Sequence, residues 1–140
     1  MQKSTGQLQE ELMTAPDIAR FIRENSHEMH PKTFMEHLNG LVDASGMTKS
    51  VLAKASGMSE VYLYQILSGR RNPTRERILC ICFGLQLTVD QSQSLLRSGA
   101  CAALYPRSKR DAVLIYALTE KMTLFDVNDL LFSLEEKTLC

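Results

Sequence analysis

Apolar residues recur at spacings of three and four along most of the chain, and period-two alternation is absent. The pattern predicts a string of short helices with polar caps. Ser4–Met13 carries Leu8, Leu12 and Met13 on one stripe. A second segment, with Pro16 in its first turn, carries Ile18, Phe21 and Ile22 up to Asn25. Thr33 caps a helix with Phe34, Leu38, Leu41 and Val42 inward, closed by Gly46. Thr48 caps the next, with Val51, Leu52 and Ala55 inward, closed by Gly57. Ser59 caps another, with Tyr62, Leu63 and Ile66 inward, closed by Gly69. Thr74 opens a helix through Ile78–Phe83, and Thr88 opens one through Leu95 and Leu96, closed by Gly99. The last two helices are expected at about Ser108–Glu120 and Thr123–Glu135. The fold class expected is all-α.

An internal repeat overlies this pattern. A shift of 35 residues aligns Arg75–Ser98 with Arg110–Ser133 without a gap. Identities fall at Arg75/Arg110, Leu79/Leu114, Thr88/Thr123, Leu95/Leu130, Leu96/Leu131 and Ser98/Ser133. Each copy reads as a helical hairpin whose second helix starts on a threonine cap. The repeat predicts that the last hairpin stacks beside the previous one, as in a short solenoid.

Composition narrows the possible functions. The 140 residues are 44% hydrophobic and 23% charged, a globular balance. Sixteen Lys and Arg offset sixteen Asp and Glu, so the chain as a whole is not a polyanion-coating protein. No apolar run is long enough to span a bilayer, and the first residues lack a signal-peptide core, so a cytoplasmic protein with no membrane association is expected. Residues 47–77, however, hold six bases against two acids, a local excess of +4. A basic patch on a neutral chain can still meet a polyanion. The four cysteines show no C-x-x-C pair and no histidine at ligand spacing, so neither a disulfide nor a metal site is expected. His27, His30 and His37 have no nucleophile at motif spacing, and no glycine-rich phosphate loop exists. No catalytic residue, no cofactor and no enzymatic activity are expected.

The informative stretch is Met47–Arg77. Two short helical patterns meet at Gly57-Met58-Ser59, where glycine permits a left-handed turn and Met58 can plug the joint. Ala53 is small where the helices must cross. Thr48, Leu52-Ala53, Gly57-Met58-Ser59, Tyr62-Leu63, Ile66 and Gly69-Arg70-Arg71-Asn72-Pro73-Thr74 together resemble the Cro/lambda-repressor-like (XRE-type) helix-turn-helix family. The resemblance covers about residues 33–86. It implies a lambda-repressor-like helix-turn-helix bundle, here extended by N-terminal helices and a C-terminal helical hairpin.

The resemblance also implies roles. Ser59–Ser68 becomes the recognition helix, with its N-terminal end on base edges in the major groove. Glu60, Val61, Tyr64 and Gln65 then face DNA. Gln65 can pair with adenine, Glu60 can accept from cytosine, and Val61 can touch a thymine methyl. Lys49 can reach guanine or a phosphate. Ser59, Tyr62, Arg70, Arg71, Thr74 and Arg75 are implied to hold phosphates. The partner implied is double-stranded DNA, and the function is sequence-specific transcription regulation of the phage-repressor type. The alternative is a protein-interaction adaptor that presents Glu60, Val61 and Tyr64 to a partner protein.

Three regions follow: an N-terminal helical extension over 1–32, the helix-turn-helix domain over 33–86 and a C-terminal hairpin region over 87–140. In the last of these, Asp90 and Arg97 of the first repeat become Phe125 and Phe132 of the second. Seven residues apart, the two phenylalanines form an apolar seam on one helix face. They are either the interface of a homodimer or covered by the N-terminal helices.

Overall fold

The structure, a computed structural model, describes residues 3–25 and 32–139. His27 and His30 therefore lie outside the described residues. The chain divides into two compact units, Met1–Lys32 and Thr33–Cys140. Among the described residues there are nine α-helices and no strand. The fold is an all-α helix-turn-helix bundle, and no described helix is long and apolar enough to cross a membrane.

The first unit holds α1 (Thr5–Thr14) and α2 (Ile18–Glu24). Ser4 and Gln7 form a reciprocal capping box at the start of α1. The second helix starts at Ile18 and leaves Pro16 outside its first turn, because Asp17 accepts the Ala19 N–H and takes the cap. Lys3 ties this unit together by donating to Glu11 at 2.8 Å and to the buried Asn25 at 2.6 Å.

The second unit holds α3 (Phe34–Ser45), α4 (Lys49–Ala55), α5 (Glu60–Leu67), α6 (Arg75–Gly84), α7 (Val89–Ser98), α8 (Lys109–Thr119) and α9 (Leu124–Ser133). Each starts on the side chain of a Thr or Ser that accepts a hydrogen bond from the third residue of its helix. Helix α6 is the axle, and Ile78 through Gly84 are buried without a break. A helix that is apolar on all sides must be packed on all sides. Helix α4 and helix α7 pack against it, and α9 reaches it from the second hairpin. One core runs from Leu38 through Leu63, Ile81 and Leu95 to Leu131 and Leu139.

The 35-residue repeat holds at the level of single hydrogen bonds. Gln93 donates to Leu104 O and accepts from Leu104 N–H, at 2.9 and 2.7 Å. Asn128 does the same to Leu139, at 2.8 and 2.7 Å. Arg75 Nε donates to Ala102 O at 2.9 Å, and Arg110 Nε donates to Lys137 O at 2.8 Å. Each copy is therefore a hairpin followed by a short return segment that is stapled back by an amide and a guanidinium. The left-handed residues repeat as well: Gln86 and Lys121 have φ of 52° and 57°, and Ala100 and Glu135 have φ of 56° and 60°.

The relation between the copies differs from the solenoid stack that the sequence suggests. Arg75 of the first copy bonds Asp111 of the second, while Arg110 of the second bonds Glu76 of the first. Gln86 Nε2 donates to Lys121 O, and Lys121 Nζ donates to Gln86 O. Helix α6 packs on α9 and α7 packs on α8. Exchanged pairs of this kind mark an isologous, two-fold relation, here within one chain. A translational stack would not exchange them.

The cysteines correct one expectation. Cys80 is disulfide-bonded, whereas Cys82 and Cys101 are free. Cys140 lies outside the described residues. Adjacency of two cysteines is set by the fold and not by sequence spacing, so the absence of a C-x-x-C pair did not bear on it. Burial pushes the Cys82 thiol up to about 12. The thiolate is the reactive form. Alkylation of the native protein at pH 8 is therefore expected to label Cys101 well before Cys82, as read by peptide mass spectrometry. Equal labelling rates would mean that the core around α6 opens readily.

Candidate nucleic-acid interface

Local chemistry fixes the two helices that form the candidate interface. Helix α4 buries Leu52 and Ala53 and ends on the buried Ser56. Gly57 follows with φ 65°, its N–H on Lys54 O at 3.2 Å, and Met58 N–H returns to Ala53 O at 3.0 Å. These paired bonds close the helix and turn the chain. Ser59 then accepts from Tyr62 N–H at 3.1 Å and starts α5. The turn lies directly on the axle helix, since a Cβ added to Gly84 would fall on the Ser56 side chain.

Helix α5 buries Leu63, Ile66 and Leu67. Asn39 of α3 donates to Leu67 O at 2.9 Å and anchors its C-terminal end. Gly69 has φ 81° and bends the chain outward, and Arg71 N–H bonds back to Gln65 O at 3.1 Å. The opposite face of α5 is open, with Val61 68% and Tyr64 51% exposed.

Cations flank that open face on both sides. Lys49 Nζ lies 5.6 Å from the centroid of the Tyr64 ring. Arg71 and Arg77 lie 4.9 and 5.3 Å from the centroid of the Tyr62 ring. These distances suit cation–π contact. Residues two apart point roughly 200° apart around an α-helix, so the two tyrosines sit on opposite flanks. Val61, Gln65 and Ser68 lie between them on the exposed side. Arg71 Nε also donates to Gln65 Oε1 at 3.0 Å, which fixes the amide with its N–H₂ turned away from Arg71.

The other residues singled out from sequence are spread around this face. Glu60 and Ser59 are exposed at the start of α5, and Arg70 is exposed just beyond its end. Thr74 is exposed and caps α6 by accepting from Arg77 N–H. Arg75 does not join the group. Its guanidinium turns into the repeat, onto Ala102 O, Ala103 O and Asp111. Arg77 takes a flanking position that sequence reading missed. Only the fold brings residue 77 back beside residue 62, so no local signal marks it. The remaining histidine, His37, contacts Ser98 Oγ through Nδ1 at 3.2 Å, and no metal-binding cluster occurs among the described residues.

Two short helices joined at a glycine turn, the second presenting an open face between two sets of cations, define a helix-turn-helix domain. The sequence profile of a family described as "Helix-turn-helix domain" matches residues 34–95, from α3 into α7. Domains of this class are in general those of DNA-binding regulators. No curated protein and no solved structure matches the chain.

Proposed function

We propose that this protein is a sequence-specific DNA-binding transcription regulator of the Cro/lambda-repressor-like branch, acting in the cytoplasm without enzymatic chemistry. The observation that carries this reading is the pair of cation-bearing tyrosines on opposite flanks of the exposed Val61–Gln65–Ser68 face. A helix in the major groove has a phosphate backbone on each side, and cations on both flanks suit that setting. In this reading Val61, Tyr64, Gln65 and Glu60 meet base edges. Lys49, Arg70, Arg71 and Arg77 meet phosphates, with the Ser59, Tyr62 and Thr74 hydroxyls beside them. The test is selection from random duplexes with the purified protein, followed by affinity measured against salt. An enriched site is expected, with affinity falling steeply as salt rises because counterions are released.

A second reading rests on the exposure of Val61 and Tyr64, two large hydrophobic residues on the same open side of α5. An adaptor would grip a partner protein there. Failure to enrich any site at moderate salt would favour it.

The proposed regulator works as a homodimer through the last hairpin. Phe125 is 66% and Phe132 79% exposed on α9, whereas Leu124, Val127 and Leu131 of the same helix are buried. Exposed aromatic residues at this spacing suit a two-fold contact. Such a dimer can set two recognition helices roughly 34 Å apart, one turn of DNA. Analytical ultracentrifugation at micromolar concentration is expected to show a dimer that Phe125→Asp/Phe132→Asp turns into a folded monomer. A wild-type monomer would remove the dimer from the reading.

A further inference from the structure

A cleft of about 470 Å³ opens between α4, the C-terminal end of α6 and the start of α9. Its size lies within the range of about 300–1,000 Å³ usual for small-molecule sites. Met47, Val51, Ala55, Phe83, Leu85 and Phe125 supply an apolar lining. Val51 is 55% and Phe125 66% exposed, so the rim leaves apolar surface in water that an occupant would cover.

The polar groups of the cleft are already engaged, with one exception. Thr123 Oγ accepts the Asp126 N–H at 3.1 Å, and Thr123 N–H reaches Asp126 Oδ2 at 3.4 Å. Gln86 O accepts from Lys121 Nζ at 2.9 Å, and Gln86 Nε2 donates to Lys121 O at 3.1 Å. Lys54 is the exception. It is the single charged residue of the lining, it is exposed, and no carboxylate or other partner among the described residues meets its ammonium.

An apolar trough with one unpaired cation at its edge selects a matching ligand. The body must be apolar, and the head must carry one negative charge. We propose that this cleft binds a small monoanionic amphiphile, a medium-chain carboxylic acid, with its chain along Val51, Phe83 and Phe125 and its carboxylate on Lys54. A single ammonium balances a carboxylate, whereas a phosphate dianion would leave charge and acceptors unmatched. The open face of α5 contributes no residue to the cleft, so the proposal stands apart from base recognition; Phe125 is shared with the proposed dimer seam, so ligand and partner chain would compete for that ring.

The test is isothermal titration of the full-length protein at pH 8 with hexanoate, octanoate and decanoate, and with octanol as the neutral counterpart. Binding is expected to be saturable and one-to-one. Affinity should rise about fourfold per added methylene until the cleft is filled. Octanoate should bind about tenfold more tightly than octanol, the worth of one charge-assisted contact. Lys54→Met keeps the length of the side chain and removes its charge. It should make octanoate and octanol bind alike while leaving octanol affinity unchanged. Ala55→Phe fills the cleft and should abolish both. If Ala55→Phe fails to fold, as judged by circular dichroism, the acid-to-alcohol ratio in Lys54→Met decides alone. Non-saturable uptake, equal affinity for acid and alcohol in the wild type, or a ratio unmoved by Lys54→Met would overturn the proposal.

Discussion

Replacing Arg110 with alanine is expected to destabilise the protein by about 2–4 kcal/mol, among the largest effects of any single change on its charged residues. The Arg110 guanidinium meets both oxygens of Glu76, at 2.6 and 3.1 Å, and two backbone carbonyls, Lys137 O at 2.8 Å and Thr138 O at 3.3 Å. Its side chain is 17% exposed and that of Glu76 30% exposed. Alanine would leave a half-buried carboxylate and two carbonyls without their donor. The cost of such a deletion comes mainly from the groups left behind, not from the bond removed. Removing both partners should therefore hurt less: Arg110→Met with Glu76→Leu is expected to recover most of the loss. Arg110→Lys is expected to recover little, because an ammonium cannot span a carboxylate and two carbonyls as a planar fork does. Urea unfolding midpoints check all three. A loss under about 0.5 kcal/mol for Arg110→Ala, the size of an ordinary surface change, would show that the exchanged ion pairs do not hold the hairpins together.

Most of this architecture could be read from the sequence because helix ends have chemistry. Thr33, Thr48, Ser59, Thr74, Thr88, Ser108 and Thr123 all accept the bond that their position implies. Gly46, Gly57 and Gly69 take the left-handed turns that a glycine at a helix end announces. Of the later turns only the one at Gly99 carried such a mark, and there Gly99 has φ −89° and the left-handed turn falls on Ala100. Gln86, Ala100, Lys121 and Glu135 adopt positive φ without being glycine, at a cost the surrounding packing must offset. Their recurrence at the repeat distance shows that the hairpin geometry imposes the turn.

The repeat itself was legible as a shift but not as a symmetry. Identities such as Arg75/Arg110 show that two segments do the same job. They do not say whether copies stack by translation or face each other. That is decided by which charges meet, and Glu76 and Asp111 are easily passed over because they differ in type. The same holds for Gln93 and Asn128, two amides of different length that each clamp a leucine backbone. The interface shows the limit in another form. Arg75 and Arg77 are equally basic in sequence, yet one closes the repeat and the other flanks α5 beside the Tyr62 ring. Only the packing of α6 distinguishes them.

If the DNA reading holds, Arg70→Ala and Arg71→Ala should behave differently even though the residues are neighbours. Arg70 is exposed just beyond the C-terminal end of α5. Its loss should weaken binding to all duplexes alike and reduce the salt slope by about 0.9. Arg71 is held by the Tyr62 ring at 4.9 Å and by Gln65 Oε1 at 3.0 Å. Its loss should remove the same electrostatic contribution and also release the Gln65 amide. A released amide can rotate, and its carbonyl and N–H₂ no longer present a fixed order to a base edge. Arg71→Ala is therefore expected to cost about 1–3 kcal/mol on the preferred site and to relax the preference at one base pair. Gln65→Ala should relax the same base pair and leave the salt slope unchanged. The double variant should relax it no further than Gln65→Ala alone, because both changes act through one amide. Fluorescence anisotropy on the selected site and its single-base variants, at three salt concentrations, measures every term. Should Arg71→Ala match Arg70→Ala on every duplex, Arg71 would be a phosphate contact only. Should neither change affect affinity, the flanking cations would not touch DNA, and the adaptor reading would take its place.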